Sequence, residues 1–264
     1  MENRKFVTKN HIVEGLKEVG IQAGDIVMVH TSLSAFGFVC GGAQVVIEAL
    51  LEVVGNEGTI IMPTQSWKNM DPEAGVHWEE PKEWWQDIRD NWPAYDKYLT
   101  PTNTMGAVAE LFRTLPESER SDHPVRSVAA WGKLAKYFTE NHDLVDIFGE
   151  NSPVGKLYQQ DGKVLLLGVD YDKNTSIHLA DVRADYPGKT TETVHCAVKE
   201  NGERKWIGFE TLLVDGEDFV DIGKAFEEKY EIGKTTIGDA TVRVMNQRQL
   251  VDFATEWIEK NRNR

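Results

Sequence analysis

A dense group of polar side chains follows one apolar run in the second half of the chain, and it contains the residue types that proton transfer requires. The run from Val164 to Val169 is broken only by Gly168, which is typical of a strand buried on both faces. His178 and Asp181 follow, three residues apart, so on a helix they would share one face. A carboxylate beside an imidazole fixes its tautomer and stabilises its protonated form. This spacing predicts His178 as a general base with Asp181 as its partner.

Other polar residues near this pair extend the candidate site. Thr175 carries a hydroxyl that could donate a hydrogen bond to an oxyanion. The carboxylates of Asp170 and Asp172, with Tyr171 between them, are predicted to contact the substrate. They would either orient His178 or hold ammonium groups.

Two other kinds of catalytic centre find less support in the sequence. One set of residues could in principle supply zinc ligands. No tight metal-binding motif links its members, so we predict no metal site. That set is His30, His123, His178, Asp170 and Asp181. The Gly-x-Ser-x-Gly motif of serine hydrolases is absent. Cys40 beside Gly41 could be reactive, although a small buried cysteine is the commoner case.

The elements that would position these groups are strands followed by polar turns. Asp25 to His30 and Thr59 to Met62 are predicted strands, and both end in residues with hydroxyl groups. The first is followed by a Ser/Gly-rich turn and a helix, a unit that can present N–H groups and hydroxyls to an anion. Together with the strand at Val164, three strands therefore end in polar loops. In an alternating α/β chain this pattern predicts one shared cleft.

The order of predicted elements indicates an α/β fold with a central mixed sheet flanked by helices in three layers. We expect one domain over residues 1–264, with a helical insertion at about 67–98. Asn201-Gly202 lies between two strand-like runs, which predicts a late antiparallel hairpin. Predicted helices include Thr8 to Val19, Phe219 to Tyr230 and Gln247 to Lys260.

The insertion contains five of the eight tryptophans together with many acids. Ring faces and carboxylates suit a cationic, polyhydroxylated ligand, and Asp71 and Glu73 are predicted to contact it. Alternatively, the insertion packs its tryptophans on the main body; the sequence leaves both interpretations open, and they are compatible.

Composition limits the classes of partner. A formal net charge of −14 argues against nucleic-acid binding, and it could attract a cationic substrate or serve solubility alone. Two cysteines give no disulfide framework, and we find neither a signal peptide nor an apolar run long enough to cross a bilayer. We therefore expect a cytoplasmic protein without a membrane partner, either a monomer or a homodimer.

Several segments, in this order along the chain, resemble the aminoglycoside 3-N-acetyltransferase family, which is distinct from the GCN5-related acetyltransferases. They are VHTSLSAFGFVCGG at 29–42, GTIIMPT at 58–64, TPTNTMGAVAELFR at 100–113, SDHPVRSVAAWG at 121–132, ENSPVGKL at 150–157 and LLLGVDYDKNTSIHLAD at 165–181. They cover most of residues 25–185, whereas the C-terminal third matches only in general layout. The resemblance implies that His178 is the catalytic histidine of an Asn-Thr-Ser-x-His-Leu-Ala-Glu motif, in which Asp181 replaces the glutamate.

The resemblance also implies acetyl-CoA as the acyl donor and an aminoglycoside as the acceptor. The donor is expected at Thr31, Ser32, Leu33, Ser34, Gly41 and Gly42, and further at Thr100, Met105, Arg113 and Ser127. We add His30, Thr64 and His123, which lie in the same matching segments.

The expected reaction is direct transfer in a ternary complex, in which His178 deprotonates the amine and the amine attacks the thioester. Donors for the oxyanion would come from Thr175, Ser32 or a backbone N–H. Three alternatives remain: a CoA-dependent acyltransferase for another amine, a metal-dependent amidohydrolase, and a binding protein without turnover.

Overall fold

The computed structural model describes residues 4–74 and 78–262. Its α-helices begin where the sequence supplies caps: the Thr8 hydroxyl accepts from the His11 N–H, and Ser152 caps the helix that Pro153 begins. The helices are α1 (Lys9–Glu18), α2 (Gly42–Val54), α3 (Trp85–Asn91), α4 (Gly106–Phe112), α5 (Ala135–Thr139), α6 (Pro153–Gln159), α7 (His178–Arg183), α8 (Phe219–Lys229) and α9 (Gln247–Asn261).

The strands form one large sheet and two small ones. They are β1 (Phe6–Val7), β2 (Ile26–Thr31), β3 (Phe38–Val39), β4 (Thr59–Pro63), β5 (Glu119–Arg120), β6 (Val128–Gly132), β7 (Lys163–Leu167), β8 (Thr191–Glu200), β9 (Glu203–Leu212), β10 (Gly233–Ile237) and β11 (Ala240–Asn246). The seven-stranded sheet has the order β10-β11-β7-β2-β4-β6-β5. Its centre, β7-β2-β4, is parallel, and β11 and β6 flank it antiparallel. The mixed sheet predicted from the sequence is confirmed.

Side chains of the central strands alternate between two apolar cores, one on each face of the sheet. On β7, Val164 and Leu166 belong to one core, whereas Leu165 and Leu167 belong to the other. The first core includes residues of α5–α9, and the second includes residues of α1, α2 and α4. Burial on both faces explains the continuous apolar runs, and it gives the predicted three-layer arrangement.

The antiparallel hairpin forms as predicted from β8 and β9. Asn201 and Gly202 at its tip have φ values of 51° and 86°, which a two-residue turn of the primed type requires. The hairpin is a two-stranded sheet of its own. The sequence analysis did not predict β1, β3, β5 and β10, which are short or polar and therefore lack a clear alternating pattern.

The insertion is less helical than expected. It contains 3₁₀ turns at Trp67–Asn69, Pro72–Ala74 and Lys82–Trp84, followed by the short α3; its residues 75–77 lie outside the described part. Trp78 and Trp92 pack edge to face, with ring centroids 4.9 Å apart. The indole N–H groups of these two residues donate to Met70 and Asn69 within the fold. These contacts lie within the insertion itself, and Trp84 is exposed, so the tryptophans of residues 78–92 pack mainly on their own segment.

Candidate active site

Several chain segments meet at one edge of the sheet because β2, β4 and β7 run parallel. Their last residues, Thr31, Pro63 and Leu167, lie at that edge. Strand β6 runs antiparallel to β4 and pairs its first residue, Val128, with Pro63. The residues that precede β6 therefore reach the same edge, and the shared cleft predicted from three strand ends gains a fourth segment.

A cavity of about 1130 Å³ opens at this edge, a volume above that of most pockets for a single small ligand. It is lined by residues from the ends of β2, β4 and β7, and from the start of α4. Of the predicted site residues, those that line it are His30, Thr31, Ser32, Leu33, Ser34, Gly42, Met105, Asp170, Asp172, Thr175 and His178.

His178 lies at the start of α7 with its imidazole held on several sides. Its Nδ1 is 2.9 Å from Oδ2 of Asp181, which is completely buried, whereas the His178 side chain is 15% exposed. Phe148 stacks on the imidazole at a centroid distance of 4.6 Å, and Phe219 lies 4.8 Å away. Because a carboxylate accepts the hydrogen bond, Nδ1 carries the proton and Nε2 keeps its lone pair. The pair predicted from the three-residue spacing therefore forms.

The second oxygen of Asp181 accepts a hydrogen bond from Nη1 of Arg262, at 2.5 Å. Arg262 also donates to both oxygens of Asp218, and its side chain is only 4% exposed. Burial alone would lower the pKa of Arg262, but hydrogen bonds to Asp218 and the charge of Asp181 raise it. Each oxygen of the buried Asp181 carboxylate thus has a partner.

His30 is a second imidazole at the cavity, and it is neutral. Burial lowers its pKa to about 3. Its Nε2 atom has no hydrogen-bond partner among the described residues.

Four of the residues predicted to bind the acyl donor belong to a buried network or its surroundings, and they do not line the cavity. Ser127 Oγ donates to the Thr64 carbonyl oxygen at 2.8 Å, and Arg120 donates to both residues. The Thr100 carbonyl oxygen also accepts from Arg120. Arg113 pairs with Glu110. The structure thus places Thr64, Thr100, Arg113 and Ser127 outside the cavity lining with polar atoms engaged in the fold, and their contact with the acyl donor stays a prediction.

His123 and Gly41 also lie off the cavity. His123 is completely buried, and its Nδ1 accepts from the N–H groups of Val125 and Arg126. Gly41 precedes α2 with φ at 95°, and a Cβ there would lie 2.4 Å from Val45. Its role is the backbone conformation of the helix start.

Among the predicted acceptor residues, the structure separates those near His178 from those in the insertion. Asp170 and Asp172 line the cavity, whereas Tyr171 between them is buried against α8. Asp71 and Glu73 both form ion pairs with Arg89 and do not line the cavity. Their carboxylates hold the insertion together, and their role as substrate ligands stays a prediction.

The sequence analysis missed four residues around the site: Arg126, Phe148, Phe219 and Arg262. Arg126 lies within a quoted motif, but no pattern distinguished it from a surface arginine. The other three come from segments with no chemical motif, and only the fold brings them to His178.

The residues proposed as zinc ligands are not brought together. His123 is separated from the cavity, and among the described residues no group of three or more His, Cys, Asp or Glu side chains has the geometry to hold a metal ion. The structure therefore gives the amidohydrolase alternative no ligand set in residues 4–74 and 78–262.

Comparison with known proteins identifies the family. The sequence model of the family described as aminoglycoside 3-N-acetyltransferase matches residues 28–259. The chain belongs to that family. It is 42% identical to the SPbeta prophage-derived aminoglycoside N(3')-acetyltransferase-like protein YokD of Bacillus subtilis (strain 168), over 96% of this chain and 93% of that protein. It is 35% identical to aminoglycoside N(3)-acetyltransferase VIII of Streptomyces fradiae, over 96% of this chain and 92% of that enzyme.

Solved structures of aminoglycoside 3-N-acetyltransferase relatives share the fold. The crystal structure of the Bacillus subtilis YokD protein matches with a TM-score of 0.89, over 97% of this chain and all of that one. The structure described as AAC-IIIb binary with CoASH matches with a TM-score of 0.85 at 28% identity, over 97% of both chains. The protein described here is thus an acetyltransferase of this family. Within its described residues, no helix is long and apolar enough to span a membrane.

Proposed function

We propose that the protein transfers the acetyl group of acetyl-CoA directly to the 3-amino group of an aminoglycoside, with His178 as the general base. The hydrogen bond between His178 and the buried Asp181 at the edge of the cavity carries this proposal. Relatives named as aminoglycoside N(3)-acetyltransferases support the reaction and the acceptor class.

In this mechanism His178 Nε2 accepts a proton from the acceptor amine, and Asp181 stabilises the imidazolium that results. The amine nitrogen forms a bond to the acetyl carbon, and the carbonyl oxygen takes up the electron pair as an oxyanion. The oxyanion then re-forms the carbonyl as the carbon–sulfur bond breaks. The imidazolium then gives its proton to the departing thiolate, so that the base returns to its neutral form. Thr175 and Ser32 line the same cavity, and their hydroxyls are the proposed donors to the oxyanion.

The proposed donor site lies on the β2 side of the cavity. Gly42, at the start of the 13-residue α2, lines the cavity, and the N–H groups of a helix start favour phosphate oxygens. The first turn of α2 contains no acidic residue that would repel them. Thr31 to Ser34 contribute hydroxyl and backbone groups beside it. A relative crystallised with CoASH supports this co-substrate.

Replacing His178 by alanine tests the base. We expect the rate of thiol release with sisomicin and acetyl-CoA to fall by about 100- to 10,000-fold, the usual contribution of a general base. Asp181 keeps its partner Arg262 in this variant, so the protein should fold and bind CoA with unchanged affinity in calorimetry.

His195→Ala is the matched control, because His195 is an exposed histidine on the hairpin that does not line the cavity. It should retain wild-type turnover. A His178→Ala protein that binds CoA and acetylates at the wild-type rate would contradict the assignment.

A further inference from the structure

The fold buries three arginines, and they differ in what their guanidinium groups contact. Arg120 donates to several backbone carbonyl and hydroxyl oxygens, and Arg262 pairs with Asp181 and Asp218. Arg126 is 9% exposed, yet no described residue accepts a hydrogen bond from its guanidinium or forms an ion pair with it. A buried cation without a counter-ion is costly, which makes this arginine the exception that calls for a ligand.

Arg126 lines the cavity and is held there by aromatic rings. Its guanidinium carbon lies 3.7 Å from the ring centroid of Trp67, which also lines the cavity, and 5.7 Å from that of Phe148. A guanidinium stacked on an indole face keeps its N–H donors at the edge of the plane, where they can bind an oxyanion in a bidentate manner. Phe148 stacks on His178, so this side of the cavity adjoins the proposed base.

The carboxylates that line the cavity are engaged elsewhere. Asp172 pairs with Lys173 at 2.8 Å, and Asp170 lies 3.7 Å from Arg243. Asp215 also interacts within the chain. Glu192 attracts Arg126 electrostatically, but the described residues place no carboxylate oxygen within 4.0 Å of its guanidinium. The cavity therefore offers an unneutralised cation, whereas two of its carboxylates already have cationic partners.

Burial lowers the pKa of Arg126 to about 10, so the guanidinium remains charged at neutral pH. A positive charge at this position does not favour the polycationic part of an aminoglycoside. It favours an acceptor that carries an oxyanion together with its amine.

We propose that Arg126, stacked on Trp67, is a binding subsite for an anionic oxygen group, and that the protein acetylates amines that also carry a carboxylate or a phosphate. This inference rests on the proposed transfer at His178. It extends the acceptor class, and the chemical step itself is unchanged.

Matched amino sugars test the subsite. Glucosamine, glucosamine 6-phosphate and muramic acid present an amine with no anion, a phosphate and a carboxylate respectively, and sisomicin represents the purely cationic acceptor. We expect wild-type kcat/KM for one or both anionic sugars to exceed that for glucosamine by about 10- to 100-fold, the range of one charge-assisted bidentate contact. Preference for one of the two identifies the oxyanion.

The variant Arg126→Gln should remove that preference through KM, so that its kcat/KM for the anionic sugars falls to its kcat/KM for glucosamine. Arg248→Gln removes one positive charge from α9, away from the cavity, and should retain the preference. Equal kcat/KM for glucosamine and both anionic sugars in the wild type would overturn the proposal. Retention of an anion preference in Arg126→Gln would also overturn it.

Calorimetric binding separates this proposal from the proposed transfer. Wild-type protein should bind glucosamine 6-phosphate or muramic acid more tightly than glucosamine, and Arg126→Gln should not, whether or not thiol is released. Absence of turnover with every acceptor, combined with this binding difference, would contradict the transfer and keep the subsite. Turnover with sisomicin without the binding difference would overturn the subsite and keep the transfer.

Discussion

At the scale of single residues, the carboxylate beside His178 has two partners. Asp181 has a shorter side chain than the glutamate of the motif it resembles, yet Oδ2 still reaches Nδ1 of His178 at 2.9 Å. The other oxygen is held by Arg262, which Asp218 binds in turn. Because Arg262 fixes one oxygen of Asp181, the shorter side chain of Asp181 can still hold the imidazole of His178 in place. Arg262 is therefore a positioning residue that acts through Asp181.

Replacing Arg262 by glutamine should lower both stability and turnover. The change leaves Asp181 and Asp218 without their shared cation, and breaking a buried pair costs about 3–5 kcal/mol of the free energy of unfolding. We expect kcat to fall more than KM changes, because His178 loses its fixed orientation while the cavity lining is retained. Urea unfolding and thiol-release kinetics measure the two effects.

Arg262→Lys should recover part of kcat because lysine keeps the positive charge. Recovery should be incomplete because lysine cannot make the bidentate contact with Asp218. Lys260→Ala, an exposed change near the end of α9 and two residues before Arg262, should leave both measurements unchanged. If Arg262→Gln matched the wild type in kcat, the positioning role would be wrong.

At the scale of elements, α8 contacts both the loop after β7 and His178. Gly223 on α8 faces Tyr171, and a Cβ at this position would lie 2.1 Å from the tyrosine ring. Phe219, at the start of the same helix, lies 4.8 Å from His178. The close approach that glycine permits therefore fixes how far Phe219 reaches toward the imidazole.

Gly223→Ala should destabilise the protein despite the better helix propensity of alanine. The propensity gain is about 1 kcal/mol, whereas overpacking a buried contact costs about 1–3 kcal/mol, and Tyr171 is only 1% exposed and has little room to move. We expect a lower urea midpoint and reduced kcat/KM. Lys224→Ala, the exposed neighbour on α8, should change neither, and a more stable Gly223→Ala protein would refute the packing argument.

At the scale of the whole molecule, the sequence predicted those features that depend on a continuous apolar run or on the spacing of nearby residues. The runs that form β2, β4 and β7, the Asn201-Gly202 hairpin and the His178–Asp181 pair are all of this kind. Contacts between residues that lie far apart in the chain could not be predicted from such patterns. Arg262, for example, is 81 residues from Asp181.

The position of three predicted donor-site residues off the cavity has a related physical reason. Thr64, Thr100 and Ser127 belong to segments expected at the cleft, but their polar atoms are used by the buried Arg120. A hydroxyl or carbonyl near a site is bound by the nearest buried donor, and the sequence does not show which donor that is.

The whole fold also carries a dependence on pH, because the buried His30 and His123 and the half-buried His142 are held in their neutral form. Burial lowers the pKa of His30 to about 3 and that of His142 to about 4, and it lowers the pKa of His123 well below its ordinary value. The pKa of a histidine in the unfolded chain is about 6.5. Below that pH the unfolded chain binds protons that the folded protein does not, so the free energy of unfolding falls as the pH falls.

From pH 7.0 to 5.5 each of these histidines should remove about 1 kcal/mol from the free energy of unfolding, measured by urea titration at the two pH values. This window lies above the range in which most carboxylates titrate, so histidines dominate the change. His142→Gln removes one such group and should reduce the difference between the two pH values by about 1 kcal/mol, even if the variant is less stable at both. An unchanged pH difference in His142→Gln would show that His142 does not take up a proton on unfolding.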